Sequence, residues 1–156
     1  MTKAARSVLR DCELALEMMD EVTDPDRMRV LWVGALALIR LVGHRLHESD
    51  GQSELYRAAI AEHWNYLQQS QDPMFWQFIK NYRDAAVKRH DTRIPEDSSF
   101  LGLVPHSNGG HLLVTFEDCL LLPLESGWRE GEDARDVYRD AIDWWDFQLS
   151  EIEGKC

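Results

Sequence analysis

The sequence predicts a mainly α-helical, up-and-down bundle of about five helices with a short β-hairpin excursion before the last helix, in one domain spanning residues 1–156. Apolar residues recur at helical spacing in five stretches, and only short polar breaks separate the first four. Asp-Pro pairs start two of these stretches, Asp24-Pro25 and Asp72-Pro73, because Asp can cap a helix and Pro suits its first position. The content of 44% hydrophobic and 29% charged residues is typical of a globular protein.

The first two helices are predicted at 3–21 and from 25 to about 48. In the first, one face carries Val8, Cys12, Ala15 and Met19 at helical spacing. The second is the most apolar of the chain, so we expect it at the centre of the bundle. Its longest apolar run, 30–39, is shorter than the roughly 20 residues that span a bilayer, and we expect no membrane association.

The third and fourth helices are predicted from 53 to about 69 and from 72 to about 91. Ser53 is the expected N-cap of the third helix, and Asp72 that of the fourth. The fourth helix should bury one face, and the short break at 70–72 should make these two helices neighbours. That predicted buried face consists of Phe75, Ile79, Tyr82 and Ala86.

The region 92–131 departs from the helical pattern. It contains three prolines and the turn signal Asn108-Gly109-Gly110, so 100–104 and 111–116 are predicted to pair as a short hairpin, which would be marginal unless it packs on the bundle. We expect the region to cover the end of the bundle, to contact a partner chain or to frame the basic site. A last helix is predicted at 132–153. Its broad apolar face suits packing on two neighbours or on a second subunit, and we expect the Trp144-Trp145 pair in the core.

Charge and cysteine content limit the classes of function. A formal net charge of -11 argues against a protein that coats nucleic acid non-specifically. The segment 80–93 is basic within this acidic chain, which favours a local anion site. Three cysteines without CxxC spacing indicate neither a disulfide framework nor a structural zinc site, so a reducing cytoplasm is the expected location.

The sharpest chemical pattern is an arginine followed by a polar residue and, seven positions after the arginine, a histidine: Arg83, Asp84 and His90. About two helical turns separate Arg83 from His90, so both should project in the same direction. Two further Arg-to-His pairs have comparable spacing, Arg40 to His47 and Arg57 to His63, but an apolar residue follows each of those arginines.

This pattern, with the aromatic and basic run before it, resembles the motif of the HEPN superfamily of small helical proteins. The resemblance implies a homodimer of defence or toxin-antitoxin type with metal-independent endoribonuclease chemistry and no cofactor. In that hypothesis Arg83 holds the scissile phosphate, Asp84 orients Arg83, and His90 is the general acid or base. The residues expected to bind RNA around them are Lys80, Lys88, Arg89 and Arg93.

Two alternatives remain open at this point. The acidic surface, and an Asp84 that can pair with Arg83, also suit a catalytically silent helical module that binds a protein partner such as an antitoxin or regulator. A metal-dependent bundle enzyme would instead use His44, His47 and His63, although no HExxH framework accompanies these histidines.

Overall fold

A computed structural model, which describes residues 1–96, 100–105, 107–116 and 122–155, has the predicted mainly helical architecture. A 3₁₀ turn at Asp50–Gln52 precedes the third helix, and a π-helical segment at Met74–Lys80 runs directly into the fourth. Before the last helix, two strands pair antiparallel, with Phe100 opposite Phe116. The helices are α1 (Lys3–Glu21), α2 (Pro25–Glu48), α3 (Glu54–Ser70), α4 (Asn81–Arg89) and α5 (Ala134–Gly154), and the strands are β1 (Phe100–Pro105) and β2 (His111–Phe116).

Helix α2 packs against α1, α4 and α5. Buried aromatic side chains of α5 hold it to α2: the Tyr138 hydroxyl donates to the Ala35 carbonyl at 3.0 Å, and Trp145 Nε1 donates to the Ile39 carbonyl at 2.9 Å. Both rings are almost completely buried, so the bonds form where water cannot compete. The predicted apolar face of α1 is buried as well.

Among the described residues, the segment Pro25–Gln52 is the one helical stretch with the length and composition to cross a membrane. The central helix of a water-soluble bundle has the same composition. Eight residues of α2 are buried within the protein.

The N-terminus of α1 is capped by acids from distant parts of the chain. The Asp50 carboxylate accepts hydrogen bonds from the backbone N–H groups of Ala4 and Ala5 at 3.1 and 2.9 Å. Glu153, near the end of α5, accepts from the backbone N–H and hydroxyl of Thr2, both at 2.7 Å. These carboxylates satisfy donors that a helix leaves free at its start and lie at the positive end of its dipole.

The predicted helix starts need three corrections. Asp72 caps its helix as expected, by accepting from the Met74 N–H at 2.9 Å, but the first two turns are π-helical. Ser53 precedes α3 without a capping hydrogen bond from its side chain. Helix α5 begins at Ala134, two residues later than predicted, because Asp133 provides the capping side chain. The predicted buried face of the fourth helix, Phe75, Ile79, Tyr82 and Ala86, is confirmed.

The chain before α5 is attached to the bundle at the start of α4. Leu122 and Leu124 are buried, and the Leu122 carbonyl accepts from the N–H of Ala134 at 2.8 Å. The hydroxyl of Tyr82 is within hydrogen-bond distance of the carbonyls of Ser126 and Trp128, at 2.9 and 2.7 Å. Residues 122–128, which follow the strands, therefore pack on the helices.

Two glycines of α2 should respond in opposite ways to substitution by alanine. A Cβ at Gly43 would lie 3.1 Å from the Trp145 ring, which is held within the core, whereas a Cβ at Gly34 would meet nothing within 4 Å. We expect Gly43→Ala to destabilise the protein by about 1–3 kcal/mol through overpacking. Gly34→Ala should stabilise it by roughly 0.5–1 kcal/mol, since alanine favours a helix interior. Urea unfolding of both variants measures this difference, and stabilisation by Gly43→Ala would contradict the close packing at Trp145.

Candidate functional site

Three cations of the π-helical segment and α4 surround one carboxylate. Asp84 Oδ1 lies 2.8 Å from Arg83 Nη1, and Asp84 Oδ2 lies 3.2 Å from Lys88 Nζ and 4.0 Å from Lys80 Nζ. Burial would raise the pKa of Asp84, but hydrogen bonds from Arg83 and Lys88 outweigh it and hold the pKa below its ordinary value. The carboxylate therefore stays ionised and offsets only one of the three positive charges.

Arg83 also lies near Arg40, a cationic residue of α2. Burial lowers the pKa of Arg40 and repulsion by Arg83 lowers it further, while Asp84 opposes both effects. The Arg40 guanidinium is 5.0 Å from the centre of the Phe75 ring, a cation–π contact. Within the described part of the chain, the guanidinium of Arg40 forms no ion pair and no hydrogen bond. A partly buried guanidinium without an acidic partner is an attractive position for an anion.

His90 does not continue the helical path predicted for it. Helix α4 ends at Arg89, and His90 has left-handed backbone angles, with a φ of 56°. The N–H groups of His90 and Asp91 both point to the carbonyl of Ala85, which closes the helix. A positive φ turns the side chain away from the direction it would have in a continued helix. The prediction that Arg83 and His90 project together from one helix is therefore wrong, although the imidazole is exposed.

His90 instead lines a polar groove of about 440 Å³ at the end of α4, together with Arg93, Glu96 and Glu125. Arg93, predicted to bind RNA, has its guanidinium 4.7 Å from the Tyr82 ring centre and is only 17% exposed. Arg93 therefore packs against Tyr82 as part of the fold. The other predicted RNA-binding residues, Lys80, Lys88 and Arg89, are partly or fully exposed.

A second groove, of about 330 Å³, lies between α2 and α3 and was not identified from the sequence. The Trp64 ring forms part of its wall, and His47 packs edge-on against Trp64 with ring centres 5.3 Å apart. Burial lowers the pKa of His47, and so does the charge of Arg40. Two sequence signals fall on this groove: the Arg40-to-His47 spacing, and the His44 and His47 pair of the metal-dependent alternative. The groove is lined by Arg40, Gly43, His44, His47, Glu48 and Trp64.

The three histidines of the alternative metal site do not form a metal-binding group in the described part of the chain. Among the described residues, no group of three His, Cys, Asp or Glu side chains could hold a metal ion. His63 is buried between α3 and α5 and pairs through Nε2 with Gln148 Oε1 at 2.9 Å, whereas His47 contacts Trp64. No known protein family, curated protein or solved structure matches the chain.

Proposed function

We propose that the chain is a HEPN-like, homodimeric, cytoplasmic protein of defence or toxin-antitoxin type that cleaves RNA without a metal ion. The observation that supports this most directly is the position of Arg83, which shares Asp84 with Lys80 and Lys88 and lies near the guanidinium of Arg40, a group without an acidic partner among the described residues. Phosphodiesters are bound by this kind of arrangement, because a planar guanidinium can donate two parallel hydrogen bonds to phosphate oxygens.

The local charge favours one bound phosphate rather than a long nucleic-acid groove. Lys80, Arg83, Lys88 and Arg40 supply four positive charges near the single carboxylate of Asp84, on a chain whose formal net charge is -11. Acidic surface around such a spot repels the rest of a polyanion and restricts binding to this place. Asp84 then orients the Arg83 fork, and Arg83 stabilises the charge that develops on the phosphate.

A second subunit would supply the general acid or base that a single chain does not place beside Arg83. His90 follows α4 and lines a groove whose lining does not include Arg83, so the general acid or base for Arg83 would come from His90 of the partner subunit. Exposed small and apolar residues on α2 offer a surface for that pairing, because they form one stripe that leads to His44. The stripe consists of Val30, Gly34, Ala37 and Leu41.

The test is cleavage and binding of a mixed RNA pool by pure protein in excess EDTA. We expect the wild type to cut, and His90→Ala to cut about 10²–10⁴-fold more slowly, because a general acid or base contributes a factor of that size. Arg83→Ala should lose cleavage and also bind RNA more weakly. Arg10→Gln is the matched control, because it removes the charge of an exposed arginine on α1.

The outcomes separate this proposal from its rivals. Cutting that persists equally in His90→Ala and Arg83→Ala would refute the proposed roles. RNA binding without cutting would support the phosphate-binding site and refute the ribonuclease activity. A mass of 18.1 kDa, that of one chain, under conditions where the protein cuts RNA would exclude a site shared between subunits.

A second candidate, a silent module that binds a protein partner, is favoured by an apolar groove where α1 meets α2. Its volume is about 600 Å³. Met18 and Val30 on its walls are 45% and 68% exposed. In that case substitution of Arg83 or His90 would leave function intact, whereas Met18→Glu would break partner binding.

A further inference from the structure

We propose that the groove between α2 and α3 binds a single nucleotide unit, with its phosphate on Arg40 and His44 and its base against Trp64. The inference takes RNA from the proposed function as the larger ligand, but it does not require that the protein cleave RNA. It assigns the groove a ligand of stated chemistry: a phosphate ester next to an aromatic ring.

The phosphate end of the groove is defined by Arg40. Its guanidinium lies over the Phe75 ring at 5.0 Å and, within the described chain, has no acidic partner. His44 is exposed one helical turn further along α2, on the same side, and can donate a second hydrogen bond. The charge of Arg83, on α4, acts on both Arg40 and His44, although part of it is offset by Asp84.

The other wall suits a nucleobase. Trp64 lines the groove, and aromatic rings stack on bases with little preference for which base is bound. Contacts with Phe75 and Trp76, at ring-centre distances of 5.9 and 6.3 Å, fix the position of the Trp64 ring. Glu48, at the end of α2, offers a carboxylate that can accept hydrogen bonds from ribose hydroxyls. A volume of about 330 Å³ falls within the range of small-molecule sites.

Isothermal titration calorimetry at neutral pH and low salt tests the proposal with three probes: 5′-GMP, guanosine and inorganic phosphate. We expect 5′-GMP to bind at least about tenfold more tightly than either fragment, since only it fills both ends of the groove. Arg40→Gln and His44→Gln should each weaken 5′-GMP binding, the first by about tenfold or more. Arg45→Gln is the matched control, because Arg45 is an exposed arginine of the same helix outside the groove.

The controls keep the result interpretable. Circular dichroism checks that Arg40→Gln folds, and exposed His44 provides a variant with little effect on packing. Absence of 5′-GMP binding at millimolar concentration, or equal weakening by Arg45→Gln, would overturn the proposal. Displacement of 5′-GMP by a single-stranded RNA would support it with RNA as the ligand, and undisturbed binding would support it with the free nucleotide. RNA cleavage without 5′-GMP binding would be consistent with the proposed function and would refute only nucleotide binding in this groove.

Discussion

Trp145→Ala should destabilise the protein by about 3–5 kcal/mol, the usual cost of emptying a large aromatic site in a core. The Trp145 side chain is 1% exposed, and its ring centre lies 6.2 Å from that of Phe75. Its Nε1 donates to the Ile39 carbonyl at 2.9 Å. The substitution therefore leaves a cavity between α2 and α5 and removes a buried hydrogen bond that joins them.

The neighbouring Trp144 gives a matched control for this prediction. Its side chain is only partly buried, and its Nε1 donates to Asp72 Oδ2 at 3.2 Å. Trp144→Ala should cost clearly less than Trp145→Ala in urea unfolding, and Trp145→Phe should fall between wild type and Trp145→Ala. Equal losses for the two alanine variants would show that Trp145 is not the main contact between the helices.

Glu153→Gln should destabilise the protein by roughly 2–3 kcal/mol at neutral pH and have little effect near pH 2. Burial would raise the pKa of Glu153, but hydrogen bonds from Arg6 and Thr2 outweigh it and lower the pKa to about 2. A carboxyl whose pKa is lower in the folded state stabilises the fold above its unfolded pKa, about 4.3. That contribution decreases as the pH falls from about 5 towards 2.

The measurement is urea unfolding of wild type and Glu153→Gln at several pH values between 7 and 3. The difference between the two free energies of unfolding isolates Glu153 from the other carboxylates and should shrink steadily as the pH falls. Glu151→Gln, at an exposed position two residues earlier on α5, is the control and should show a small difference. A gap for Glu153→Gln that stays constant with pH would show that its charge is not the stabilising feature.

Local signals in the sequence predicted most of the helical architecture. The bounds of α1 and α2 follow from apolar periodicity and from the Asp24-Pro25 start, both of which act within a few residues. The capping of α1 by Asp50 and Glu153 could not be predicted in this way, because those carboxylates are brought to it only by tertiary packing.

The same distinction between local sequence signals and tertiary packing applies to the candidate site. The cations around Asp84 lie on one helical stretch, so spacing alone places them together. The position of Arg40 beside Arg83 depends on how α4 packs on α2, which no local pattern encodes. The prediction that His90 continues the helix is wrong for a different reason. A histidine with a φ of 56° ends the helix, without the glycine that usually marks such a position.

The π-helical segment Met74–Lys80 contains one residue more than an α-helix would need to reach Arg83 in the same direction. Its apolar residues satisfy ordinary helical spacing, so the sequence pattern does not reveal its wider turns. Loss of one residue, for example the exposed Gln77, would restore an α-helix and leave the residues after it facing nearly the same way, because a π-bulge takes up one extra residue within otherwise α-helical geometry. Arg83 would then stay near Arg40. Related chains that keep this site should therefore vary by one residue in the length of this segment as well as in its exposed side chains.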